Sequence, residues 1–307
     1  LAPAVSGEAG IVVHGGDLFY RSRIPAWLAE RVFSRLTELG EMGLDLFWVP
    51  GNHERSGVPR GLLLTHPRIR VFDRPRTFVV RRDGLDLALS GFPFAPDVRT
   101  SFPALLAATG HADAAADVRL LCLHQAVEGA RVGPAGFAAV PSGHIHRSQA
   151  LSRDLAGRPL ASPVLFAGST DRTSFAERNE PKGTFLIDLE RMDRGGTAAW
   201  EFRQLPVRPM VDLELDPGDD AASFEHRLRA ALSRLDPSAL VRPRLPREPS
   251  PAVARLLGAE ALRLAAPPTV TVSVAWRGAS GPRGHDSVEM KSGLSVGRRG
   301  WQPAEDG

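Results

Sequence analysis

Cysteine is almost missing from this 307-residue chain, in which Cys122 stands alone. A single thiol excludes both an internal disulfide framework and a cluster of thiolate zinc ligands. Its setting, Leu120-Leu121-Cys122-Leu123, points to a buried strand, where cysteine acts as a small hydrophobe. A chain without disulfides suits a reducing compartment, and a cytoplasmic protein is expected. No apolar run approaches the roughly 18–20 residues that cross a bilayer, so no membrane partner is expected. Residues 1–10 carry neither the charged start nor the apolar centre of a signal peptide. Lysine is scarce, and the basic residues are nearly all arginine, whose planar fork donates two hydrogen bonds together to a phosphate. The net charge of +3 is too small to demand a nucleic-acid partner and leaves one open. Internal repeats are absent.

What is present suffices for one large domain and a smaller one, with 43% hydrophobic residues to fill the cores. Ile11-Val12-Val13 reads as a buried strand that runs into His14-Gly15-Gly16-Asp17. Ile24, Leu28, Val32, Leu36 and Leu39 then recur at helical spacing, with Gly40 as the expected stop. Leu46-Phe47-Trp48-Val49 is the next strand, ended by Pro50-Gly51; strand, helix and strand in this order predict a parallel pair with a crossover helix. Residues 77–82 and 85–90 flank Asp83-Gly84 and predict a hairpin. Further strands are expected at residues 118–123, 137–140, 164–167, 184–189 and 198–203. After Arg208-Pro209 come a strand (210–215), an amphipathic helix marked by Phe224, Leu228, Leu232 and Leu235, a helix capped by Ser250 with Pro251 in its first turn, and a strand of Val270, Val272, Val274 and Trp276. The expected organisation is a domain at 1–207, a small α+β module at 208–276 and a disordered tail at 277–307, where Gly, Arg, Ser and Pro dominate.

Four short segments each follow an apolar strand: Gly16-Asp17, Gly51-Asn52-His53-Glu54, Leu123-His124-Gln125 and Gly143-His144-Ile145-His146. Loops beyond the C-termini of strands are where α/β folds gather functional groups. One Asp, one Asn and four His brought to one place suit transition metals, because imidazole selects them over calcium while the carboxylate and amide oxygens accept harder ions. Arg55 and Arg147 adjoin these motifs and are candidates for gripping phosphate. His14 reads as a strand-end residue.

The set, in this order, resembles the calcineurin-like metallophosphoesterases. That resemblance implies an α/β fold, a four-layer α/β/β/α sandwich with a small α+β cap domain. It also implies two divalent metal ions, Mn2+ in the first place, with Fe or Zn as alternatives. By it, Asp17 is the carboxylate that bridges the metals, Asn52, His124 and His144 hold one metal, and His146 holds the other. His53 is implied to be no ligand but the group that contacts phosphate and protonates the leaving oxygen. Gly16-Asp17-Leu18-Phe19 with Arg21-Ser22-Arg23, Gly168 to Phe175, and Glu180-Pro181-Lys182-Gly183 narrow the resemblance to SbcD-type DNA repair exonucleases. This implies DNA as substrate, the module from Arg208 as a DNA-contacting cap, an SbcC-type ATPase subunit as partner, and a homodimer. The family's first motif, Asp-x-His, is not found; its place falls before Leu1, so an N-terminally truncated domain, lacking its first strand and holding one metal, is expected. Phosphodiesterase action on small molecules and a catalytically inactive DNA-binding subunit are the alternatives.

Overall fold

The computed structural model describes residues 1–19, 23–54, 65–125, 135–154, 156–190, 197–218, 220–274 and 288–289. The chain divides into two compact units: Leu1–Thr173 with Glu180–Pro206, and Ser174–Asn179 with Val207–Gly307.

The first unit opens with a single helical turn, α1 (Ala2–Val5), and a strand, β1 (Ile11–His14). Helix α2 (Ala26–Glu41) crosses over to β2 (Asp45–Trp48), which pairs in parallel with β1 and with β3 (Ile69–Val71). Strands β4 (Arg76–Arg82) and β5 (Leu85–Gly91) form the expected hairpin, its turn made by Asp83 and Gly84 at φ 49° and 81°. Helix α3 (Val98–Ala108) leads to β6 (Val118–Cys122), parallel to β5. Strands β7 (Val140–Ser142), β8 (Gln149–Arg153) and β9 (Pro159–Phe166) make a sheet in the order β7-β9-β8, and single bridges join β7 to β6. Strands β10 (Gly183–Glu190) and β11 (Thr197–Gln204) pair antiparallel.

Strand alternation sets the layers. Leu46 and Trp48 face Phe33 and Leu39 of α2, whereas Phe47 and Val49 face Leu87, Leu89, Leu120 and Cys122 of the second sheet. Leu121 and Leu123, on the far side of that sheet, pack against Val98 and Phe102 of α3. Helix, sheet, sheet and helix therefore stack in four layers with three cores between them, the α/β/β/α order. Phe47, Leu89 and Leu121 are wholly buried, each stabilising the stack by about 1.5–3 kcal/mol.

Gly40 does not stop α2, which continues to Glu41 and ends where Gly43 takes φ 93°. The ring of His66 lies where a side chain at Gly40 would project, so any larger residue there would have to displace that ring. The strand expected at 137–140 begins only at Val140, and α3, which carries Pro103 inside it, had no periodic signature. Among the described residues no helix is long and apolar enough to cross a membrane.

The second unit holds β12 (Met210–Glu214), α4 (Ala221–Leu232), β13 (Leu240–Arg244), α5 (Pro251–Leu256), α6 (Ala259–Ala265), β14 (Thr271–Val274) and β15 (Val288–Glu289). Its sheet runs β12-β13-β14-β15 over a core of Phe224, Leu228, Leu232, Val241, Val253 and Val272. Asp220 caps α4 by accepting from Ser223 N–H at 2.7 Å, and Ser250 caps α5. Apart from Val288–Glu289, the tail expected to be disordered lies outside the described residues.

Candidate metal centre

Four loops converge because their strands are neighbours running the same way. β1 and β2 are parallel, and Val49 N–H donates to His14 O across them at 3.0 Å. Leu123 bridges Ser142 in parallel, and Gly143 N–H donates to Leu123 O at 3.0 Å. The two pairs meet at Gly15 and Gly143: a side chain on Gly15 would stand 2.9 Å from Gly143 N, so the backbones can touch only bare. Asp17 and His144 take φ 51° and 76°, a left-handed conformation that costs a non-glycine residue about 1–3 kcal/mol and clusters at functional sites.

At the centre, His124 is wholly buried and its Nδ1 contacts the carbonyl of Gly15. A carbonyl only accepts, so Nδ1 carries the hydrogen and Nε2 of the neutral ring presents a lone pair. That lone pair faces Asp17 Oδ2 at 3.3 Å, Asn52 Oδ1 at 3.1 Å and His144 Nδ1 at 3.2 Å. Asn52 Oδ1 also lies 3.0 Å from His144 Nδ1. Asp17, His124 and His144 offer one ligand atom each, all within 4.8 Å of one another. A carboxylate, an amide oxygen and an imidazole lone pair turned toward one point are satisfied by a cation, and the donor set fits a divalent transition metal.

The electrostatics agree. Burial, then the neighbouring His124 ring, lowers the pKa of His144 and favours its neutral, ligating form. Burial would raise the Asp17 carboxyl, yet its close contacts with His124 and with the His53 backbone N–H hold it below the usual carboxylate range. Phe94 walls the cluster, its ring 5.5 Å from His144 and 6.1 Å from His124, while Phe92 is spent in the core against Phe102.

His53 stands beside the cluster. Its backbone N–H donates to Asp17 Oδ1 at 3.0 Å, and its Nε2 is 3.8 Å from Asp17 Oδ2. His146 is not brought into the three-residue group. Its Nδ1 lies 3.2 Å from Thr173 Oγ1, and its carbonyl accepts from Lys182 Nζ at 2.9 Å. Arg147 is exposed, and Arg55 lies outside the described residues. His14 sits at the end of β1, accepting from Gly16 N–H at Nδ1.

A family model described as calcineurin-like phosphoesterase matches residues 5–129, the stretch that supplies Asp17, Asn52, His53 and His124. Over those residues the chain is similar to the calcineurin-like phosphoesterases. Two curated relatives bear the name DNA double-strand break repair protein Mre11. That of Methanopyrus kandleri is 26% identical over 226 residues, covering 62% of this chain and 47% of the relative. That of Saccharolobus solfataricus is 26% identical over 208 residues, covering 61% and 52%. The chain spans about half the length of the curated relatives it matches. A solved structure of a hypothetical protein from Thermus thermophilus is similar at a TM-score of 0.42 and 17% identity, over 66% of this chain and 91% of that one.

Two buried residues beside this cluster had no role in the sequence reading. Glu54 and Lys182 were visible only as letters within Gly-Asn-His-Glu and Glu-Pro-Lys-Gly. Both side chains are wholly buried and charged, a pairing of properties that only the fold displays.

Proposed function

We propose that this chain is the core of a metal-dependent phosphodiesterase that hydrolyses DNA, acting as an exonuclease in double-strand-break repair. The observation that carries the reading is the convergence of Asp17, Asn52, His124 and His144 on one point with His53 at its rim. The names of the two curated relatives support DNA as the substrate. So does the second unit, proposed as a DNA-contacting cap. There, Arg178, Arg242 and Arg244 surround the single carboxylate of Asp212 at 3.3, 2.6 and 3.4 Å, leaving positive charge in excess.

Asp17, Asn52, His124 and His144 would hold one divalent ion, and Asp17 with His146 would contribute to a second; Mn2+ is proposed for both. When bound, such a pair polarises the phosphoryl oxygens and lowers the pKa of water toward neutrality. The chain's own residues do the rest. His53, with 40% of its side chain exposed, can reach the leaving oxygen and give it the proton held at Nε2 as the P–O bond breaks. Arg147, and Arg55, which follows Glu54 in the sequence, would pair with flanking phosphates. An SbcC-type ATPase, a second copy of the chain and a cytoplasmic setting belong to the same reading.

The test is cleavage of end-labelled duplex DNA by the full-length protein with and without Mn2+, beside a generic phosphodiester. Mn2+-dependent shortening of DNA is expected. Hydrolysis of the generic ester alone would transfer the reading to small-molecule substrates, and Mn2+ binding with neither activity would make this an inactive DNA-binding subunit.

A further inference from the structure

Glu54 has no exposed surface, and the chemistry proposed above makes no use of its carboxylate. Among its partners are backbone groups of two different loops. Oε2 accepts from Asp17 N–H at 3.0 Å and from Gly51 N–H at 2.6 Å, and Oε1 accepts from Phe19 N–H at 3.2 Å. Asp17 and Phe19 belong to the loop after β1, and Gly51 to the loop after β2. The connection is returned from the other side, where Asp17 Oδ1 accepts from His53 N–H at 3.0 Å.

Filling space does not account for this residue. A leucine or methionine would occupy the volume without the desolvation that a buried carboxylate incurs. What a carboxylate adds is two acceptor oxygens that together take three N–H groups. One of those groups belongs to Asp17, whose φ of 51° persists only if its surroundings over-determine it. A side chain on Gly51 would run into the Asp17 carboxylate, so the two loops also have little freedom to slide past each other.

We propose that Glu54 is a positioning residue, its carboxylate clamping the loop after β1 to the loop after β2. The clamp fixes how Asp17 and Asn52 present their oxygens to the cation. It touches neither substrate nor metal and acts through the backbone of Asp17 and of the Gly51-Asn52-His53 turn. The inference rests on the metal-centre reading, so its test measures binding by the unsubstituted protein first.

Full-length protein stripped by a chelator is titrated with Mn2+, and free Mn2+ is read by electron paramagnetic resonance. The variants are Glu54→Gln, Glu54→Ala and, as a control for general destabilisation, Val80→Ala in the core. Glutamine keeps the volume but sets an NH2 against at least one backbone N–H. A fall in Mn2+ affinity of about 10-fold for Glu54→Gln and about 100-fold for Glu54→Ala is expected, the range found when partners that orient metal ligands are removed. Val80→Ala should lower the melting temperature and leave Mn2+ affinity unchanged. Mn2+ binding by the unsubstituted protein that both Glu54 variants retain would overturn the clamp alone. Failure of both to fold would reassign Glu54 to folding. No Mn2+ binding by the unsubstituted protein would overturn the metal-centre reading and the clamp with it.

Discussion

Lys182 donates from Nζ to the backbone carbonyl of His146 at 2.9 Å while wholly buried, and Glu180 Oε2 answers its charge at 3.1 Å. A buried ammonium is tolerated only when paired and hydrogen-bonded, and here the pairing ties the segment entering β10 to the loop that carries His146. Lys182→Met would fill the volume yet remove a donor from the His146 carbonyl and the counter-charge from Glu180. A loss of about 1–3 kcal/mol is expected in urea unfolding. An unchanged midpoint and slope would show that the contact carries no net stability.

Removal of an acid and removal of a ligand should separate cleanly. His53→Ala in the full-length protein is expected to cut hydrolysis by about 10²–10⁴-fold with metal content nearly intact, because its ring lies beside the ligand cluster and not within it. His144→Ala is expected to lower bound metal, measured by plasma emission after dialysis. Equal loss of metal in both variants would contradict the acid role.

The pH dependence of stability should carry a mark of His14. Burial first, and then the neighbouring His124 ring, pull its pKa down to about 4, against an opposing pull from Asp17. Between that value and the ordinary histidine pKa the unfolded chain binds the extra proton, so stability falls as pH drops through this window. The loss at about pH 5 is on the order of 2 kcal/mol relative to neutral pH. His14→Asn, which keeps an acceptor for Gly16 N–H, should flatten that part of the profile when metal-free protein is unfolded in urea. Parallel profiles for the two proteins would show that His14 titrates normally.

Cys122 should be silent until the chain opens. It is wholly buried in β6, and burial pushes its thiol pKa far up, which suppresses the reactive thiolate. Native protein is expected to resist iodoacetamide, and labelling should follow urea unfolding with the same midpoint. Rapid modification of folded protein would contradict the burial.

Much of this was legible from residues close together in the chain. The β4–β5 hairpin announces itself because Asp83-Gly84 suits a turn with both residues at positive φ. Strands β2 and β6 do so as short apolar runs, and the four motifs because each couples glycine to a ligating side chain at a strand's end. Gly40 misled because a glycine near a helix end usually marks a stop, whereas here it makes room for His66. Helix α3 was obscured by Pro103.

The sequence by itself determined which side chains reach the loops and in what order, since strand period and turn chemistry are local properties. The tertiary structure alone decided how they face one another. It joined Glu54 to the backbone of Asp17 and Phe19, 37 and 35 residues away, and Lys182 to His146, 36 residues away. It also drew Asp17, His124 and His144 into one cluster and left His146 outside it. Those relations depend on the packing of separate strands and on what burial makes a charged group find, and neither is written in the spacing of residues along the chain.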